Sequence, residues 1–156
     1  MPYHTIAMSA DGNYIVDAGY GYTEESYFYK LFLFSSRGEI LWNISRGGGS
    51  GVVAMSSDGS YMAFNNDTET CLIVRRLEDG VSILGSFTVE SDSEWISDIA
   101  MSADGRYIAI ITVAYEEGGK LYVCDRYGTL LWSYTNPSSL TCWDGTVEMS
   151  ANGSII

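Results

Sequence analysis

The stretch AMSADGNYIV, Ala7–Val16, is written again as AMSSDGSYMA at Ala54–Ala63 and as AMSADGRYIA at Ala100–Ala109, and it begins a fourth time as EMSANGSII at Glu148–Ile156. Its central pair, Asp11-Gly12, Asp58-Gly59, Asp104-Gly105 and Asn152-Gly153, recurs at intervals of 47, 46 and 48 residues. Self-similarity at such a period is the signature of one supersecondary unit used repeatedly. Each pair reads as a hairpin turn, because glycine readily takes the positive φ that tight turns need.

Apolar runs flank every turn. TIAMS, VVAMS or DIAMS stands before it, and YIVDA, YMAFN or YIAII after it. A loop of variable length leads to KLFLF, CLIVR or KLYVC, and a turn centred on Gly38, Gly80 or Gly128 leads to EILWNI, VSILGSF or TLLWSY. Val, Ile, Tyr, Phe and Trp dominate these runs, which therefore read as strands, four to a unit. No stretch shows helical periodicity, and Pro2 and Pro137 lie outside the strands. The chain is read as all-β and as a single domain, 1–156, with units at about 4–46, 51–90 and 96–136 and a partial unit at 145–156.

Four-stranded sheets repeating every ~40–50 residues are the pattern of a β-propeller, one sheet per blade. The units resemble Trp-Asp-repeat-like propeller blades, in which a strand ending in Ser-x-Asp-Gly opens the blade. The run Asp125-x-x-Gly128-x-x-x-Trp132 also resembles the tryptophan-docking motif of quinoprotein-like propellers. That resemblance implies that Trp42 and Trp132 wedge between neighbouring blades. Ser35 stands where Asp125 does, and Leu84 is expected in the tryptophan's place in the middle unit. Asp11, Gly12, Asp58, Gly59, Asp104 and Gly105 are assigned to turn formation. Three units and a fraction are too few to close a ring of 4–8 blades. Three arrangements follow: a segment of a longer propeller, self-association of two chains into a ring of about six or seven blades, or an open arc.

Composition narrows the function. A formal charge of −12, from 20 acids against 8 bases, disfavours nucleic acid and anionic membrane surfaces. No run approaches the ~20 apolar residues of a membrane span. The opening MPYHTIAMSADG lacks the pattern of a secretory signal; the expected location is cytoplasmic for a complete chain, and surface or secreted for part of a longer one. Cys71, Cys124 and Cys142 are odd in number, lack Cys-x-x-Cys spacing and read as apolar fillers rather than zinc ligands or disulfides. His4 is the only histidine and no Gly-x-Ser-x-Gly elbow occurs, so catalysis is not expected. NNDTET and SDSEW offer hard oxygen donors without a 12-residue calcium loop, and the adjacent cysteine pair of quinone-binding relatives is absent. No metal or cofactor is expected. The rival readings are a segment of a quinoprotein-like enzyme or of a cell-surface structural propeller.

Antiparallel order puts the fourth-to-first and second-to-third connections on one face of the disc. Trp95 and Trp143 fall there, each six residues before the methionine of its repeat, beside Asp92, Glu94, Asp98 and Asp144. The second-to-third loops add Tyr20, Tyr22, Glu24, Glu25, Tyr115, Glu116 and Glu117, so that half of the 20 acids gather on that face. Arg37, Arg76, Arg106 and Arg126 fall in the tighter turns opposite. Aromatic anchors ringed by carboxylates suit a protein or peptide partner of basic character. The sequence is thus read as a non-catalytic, protein-binding propeller module that forms a homo-oligomer.

Overall fold

In the computed structural model, which describes residues 5–22, 27–46, 51–90, 93–114, 118–136 and 145–156, every Ser-x-Asp-Gly phrase closes its hairpin in the same way. The Ser9 hydroxyl donates to Asp11 Oδ1 at 2.7 Å and accepts the Tyr14 N–H at 3.0 Å, while Asp11 Oδ1 accepts the Asn13 N–H at 3.0 Å. Ser56, Asp58 and Tyr61 repeat the set, as do Ser102, Asp104 and Tyr107. Ser150, Asn152 and Ile155 repeat it once more, an amide oxygen replacing the carboxylate. The glycine takes φ between +66° and +71° each time. Ser9, Ser56 and Ser102 are buried, and a buried hydroxyl is tolerated because both of its roles are filled.

Among the described residues twelve strands flank these turns. The first sheet runs β1 (Thr5–Met8), β2 (Tyr14–Tyr22), β3 (Tyr27–Ser35) and β4 (Ile40–Arg46). The second runs β5 (Val53–Met55), β6 (Tyr61–Asn65), β7 (Thr70–Leu77) and β8 (Gly80–Thr88), and the third β9 (Glu94–Met101), β10 (Tyr107–Ala114), β11 (Lys120–Asp125) and β12 (Leu130–Thr135). Each sheet is an antiparallel meander in chain order, because hairpin turns join only antiparallel neighbours. The first strands β1, β5 and β9 lie next to one another from sheet to sheet, as in blades set around an axis. Residues 145–156 carry a fourth Ser-x-Asn-Gly turn with no assigned strand.

Alternation along each strand gives every blade a leading face, toward the blade before it, and a trailing face, toward the blade after it. Val53, Met62, Phe64 and Val74 lead the second blade and pack on Val16, Ala18, Leu31 and Leu33 of the first. Ile99, Ile108 and Tyr122 lead the third and pack among Ala54, Ala63, Ile73 and Phe87 of the second. Val147 and Met149 lead the partial unit and pack on Ala100, Ala109 and Val123 of the third. Among the described residues none packs on the first blade's leading face. Ile6 and Met8 are 68% and 60% exposed, whereas Val53 and Ile99, at the place of Ile6, are 6% and 4% exposed.

The junctions are also sewn by polar bonds that repeat with the sequence. Ala10 N–H donates to Ser57 C=O at 2.7 Å, Ser57 N–H to Ala103 C=O at 2.8 Å, and Ala103 N–H to Ala151 C=O at 2.8 Å. The Tyr14 ring lies where a Cβ on Gly59 would sit, 2.6 Å away, and Tyr61 stands to Gly105 in the same way at 2.7 Å. Arg76 covers the Tyr14 ring at 3.8 Å and donates to the Gly59 carbonyl; Arg126 covers Tyr61 at 4.2 Å and donates to the Asp104 carbonyl.

One assignment changes. In the middle blade the tryptophan's place belongs to Gly85, not Leu84. Leu33 pairs with Trp42, Ile73 with Gly85 and Val123 with Trp132, and the register shift that follows in each sheet leaves Leu41, Leu84 and Leu131 as the extra residue. Glycine is required there. A Cβ on Gly85 would collide with the Tyr127 carbonyl, so the turn of the third blade lies directly on β8. Trp42 instead stands between the first two blades, 6.4 Å from the Phe64 ring and in contact range of Gly80. Trp132 is 46% exposed at the far side of the third blade.

Candidate functional site

The acidic face predicted from sequence divides once side chains are placed. Trp95 enters β9 half-buried and pairs across the sheet with Val113. Glu94, beside it, turns inward and is 1% exposed. Its Oε2 accepts the Tyr122 hydroxyl at 2.9 Å and the Thr112 hydroxyl at 3.2 Å, and its Oε1 meets Lys120 Nζ at 2.6 Å. A buried carboxylate must find such partners. The same contact raises the Lys120 pKa: the bond to Glu94 holds the proton, against burial. Burial, then the Glu94 bond, raises that of Tyr122. Glu94 therefore offers no charge to a ligand and locks β9, β10 and β11 together.

Asp98 is also structural. Its Oδ2 accepts the Val147 N–H at 2.8 Å and its Oδ1 the Ile99 N–H at 2.9 Å. Thr5, at the same place in the first blade, accepts the Val53 N–H at 2.9 Å. Both side chains thus pin the opening segment of the following unit. Asp67 in NNDTET caps its own loop, its Oδ1 accepting the N–H groups of Glu69 and Thr70 at 2.9 and 2.6 Å. Among the described residues no three His, Cys, Asp or Glu side chains cluster as a metal site. Tyr20 and Tyr22 lie in β2, their backbones opposite Tyr29 and Tyr27. His4, Glu24, Glu25, Asp92, Tyr115, Glu116, Glu117, Cys142, Trp143 and Asp144 lie outside the described residues.

The opposite face holds a groove that sequence reasoning did not single out. It encloses about 390 Å³ between the first two blades, with Tyr14 and Trp42 on its floor and Arg37, Glu39, Arg76 and Glu78 among its walls. It exists because the β7–β8 hairpin is longer than its counterparts. Arg75 pairs with Ser82 there, while Asp125 reaches Thr129 and Ser35 reaches Glu39. The visible signal was the extra length of RRLEDGVS against DRYGT and SSRGE. At the next junction the Tyr127-Gly128 turn lies against Gly85 and Ser86, filling the equivalent space. Two acids and two bases balance the groove, and Arg76 is already engaged by Tyr14 and Gly59.

No protein-family model and no curated protein sequence matches the chain. Among solved structures it is similar to the β-propeller domain of Cps50 (Swd1) from Myceliophteria thermophila, with a TM-score of 0.63 and 18% identity over 94% of this chain and 47% of that one. It is similar also to Sqt1 from Chaetomium thermophilum, with a TM-score of 0.67 and 16% identity over 95% of this chain and 38% of that one. These likenesses establish a β-propeller fold, with the ring unclosed among the described residues of one chain. The chain spans less than half the length of either structure.

Proposed function

We propose that this chain is a non-catalytic propeller module that binds protein and completes its ring by association with another copy of itself. The observation that carries the reading is the first blade's leading face, where Ile6 and Met8 stand exposed while Val53 and Ile99, the counterparts of Ile6, are buried and Met55 and Met101, the counterparts of Met8, are partly buried against a preceding blade. An apolar surface that the same fold covers at every other junction is an interaction surface. On this reading the partner-binding face carries Trp95, and Asp92, Trp143, Asp144, Glu24, Glu25, Glu116 and Glu117, which lie outside the described residues, are assigned to it from the sequence alone. A half-buried tryptophan near the start of β9 and an acidic chain support a basic peptide as ligand.

Two measurements test this. Light scattering of the purified chain, as a function of concentration, is expected to show a mass of two chains at the high end; a single-chain mass at every concentration removes the self-association reading. Titration with a lysine-rich peptide is expected to change tryptophan fluorescence, with the change reduced in Trp95→Phe. An unchanged signal at millimolar peptide removes the basic-peptide reading.

A further inference from the structure

Residues 146–153 read TVEMSANG, and residues 5–12 read TIAMSADG. The first of these segments shows how the second would sit. Val147 and Met149 pack on Ala100, Ala109 and Val123, the Val147 N–H donates to Asp98, and the Ala151 carbonyl accepts the Ala103 N–H. Ile6, Met8 and the Ala10 carbonyl stand at the matching places in the first blade. Among the described residues nothing donates to that carbonyl, and no atom lies within 4 Å of the position a Cβ on Gly12 would take. At the next two turns that position is filled by Tyr14 and Tyr61.

We infer that the trailing face of the third blade is the seat for the first blade of a second copy, and that residues 145–156 occupy this seat in the single chain as a competitor. The inference rests on the self-association reading above and names its register. Only the inner half of the seat is filled by the segment. The outer half, Trp132 and Tyr134, is 46% and 58% exposed. Its counterpart on the first blade is also apolar. Met8 pairs with Ile15 and Ile15 with Phe34, and Phe34 stacks on Phe32 at 5.8 Å, forming one surface across β1, β2 and β3. A whole blade covers both halves; the segment covers one. The contact is head-to-tail, so two copies supply six complete blades and two identical junctions related by a two-fold axis, an arrangement that closes. The exchange solves a geometric problem. Two partial units cannot complete each other, since both repeat only the opening stretch of a blade; displaced, they need not.

The segment is the weaker occupant because only its Val147 and Met149 pack on the third blade, whereas a whole first blade adds Ile15, Phe32 and Phe34 on the same face as Ile6 and Met8. Weakening it further favours the second copy. The test uses the full chain. Val147→Asp with Met149→Asp is expected to lower the dissociation constant of the dimer about tenfold, read by light scattering or sedimentation. Ile6→Asp with Met8→Asp abolishes the dimer, and so does Trp132→Asp with Tyr134→Asp. These four side chains are exposed, so folding is preserved, which circular dichroism checks. Mixing the last two variants restores a heterodimer through the one junction left intact. Two outcomes overturn the register while leaving self-association standing. One is a dimer indifferent to the Trp132/Tyr134 pair, which is face-to-face pairing of first blades. The other is a dimer weakened by the Val147/Met149 pair, which makes the segment part of the interface. A single-chain mass for every variant overturns both readings.

Discussion

At the scale of single residues, the turn glycines look alike in sequence and differ in surroundings. Gly12 and Gly59 both have φ near +70°, but only Gly59 lies under a tyrosine ring from the preceding blade. Gly12→Ala is expected to cost about 1 kcal/mol, the strain of a side chain at positive φ. Gly59→Ala adds roughly 1–3 kcal/mol of overpacking against Tyr14. Urea unfolding of the two variants measures the difference; equal losses would mean that Tyr14 gives way freely. The aspartates of the same turns carry a pH signature. The Ser9 hydroxyl and Asn13 amides lower the Asp11 pKa. At Asp58 burial acts upward and is outweighed by the Ser60 and Ser56 bonds, and the Arg106 N–H leads at Asp104. Folded pKa values below the ordinary 3.8 mean that this stabilisation is complete above that pH and is lost as pH falls through the lowered values. Asn in place of Asp at positions 11, 58 and 104, as nature writes at 152, is expected to flatten the acid limb of the unfolding curve.

At the scale of elements, equivalent strands take different weight from what lies beside them. Trp42 and Trp132 occupy the same register position in β4 and β12, yet Trp42 packs on Phe64 while Trp132 is open to solvent. Trp42→Ala is expected to lower stability by about 2–3 kcal/mol and Trp132→Ala by less than about 1 kcal/mol. Thermal unfolding of both distinguishes them. The Glu94 cluster binds three strands of one blade. Glu94→Ala leaves Lys120 and the Tyr122 hydroxyl without their acceptor and is expected to cost about 3 kcal/mol. Lys120 and Tyr122 both have pKa values raised above 10.5 and 10.0. Their contribution is complete below pH 10 and is lost as pH rises through the raised values. The wild-type chain is therefore expected to lose stability more steeply than the variant above pH 10.

At the scale of the molecule, charge opposes assembly and apolar faces drive it. Two copies at −12 each repel one another, and salt screens that repulsion over about 10 Å at 0.1 M. Raising ionic strength from 0.05 to 0.5 M is expected to strengthen the dimer several-fold. Weakening with salt would point to ion pairs rather than apolar packing at the junction. The same charge balance explains why the interaction face was harder to read than the fold. Ten acids gather by sequence at the fourth-to-first and second-to-third connections, but Glu94 and Asp98 are turned to structural bonds. Counting carboxylates along a chain cannot tell which of them are already engaged.

The repeat by itself determined the local structure and its multiplicity. Ser-x-Asp-Gly carries its own hydrogen-bond set, alternation assigns faces, and the period delimits the blades, because all of these act over a few residues. Tertiary structure alone decided which copies of a position matter. That Gly85 rather than Leu84 stands for tryptophan follows from a bulge, and that Ile6 is exposed while Val53 is buried follows from which blade lies in front. The groove at Trp42 follows from one lengthened hairpin. These are relations between repeats. Burial depends on what another segment places against a side chain, which near-identical repeated segments cannot specify.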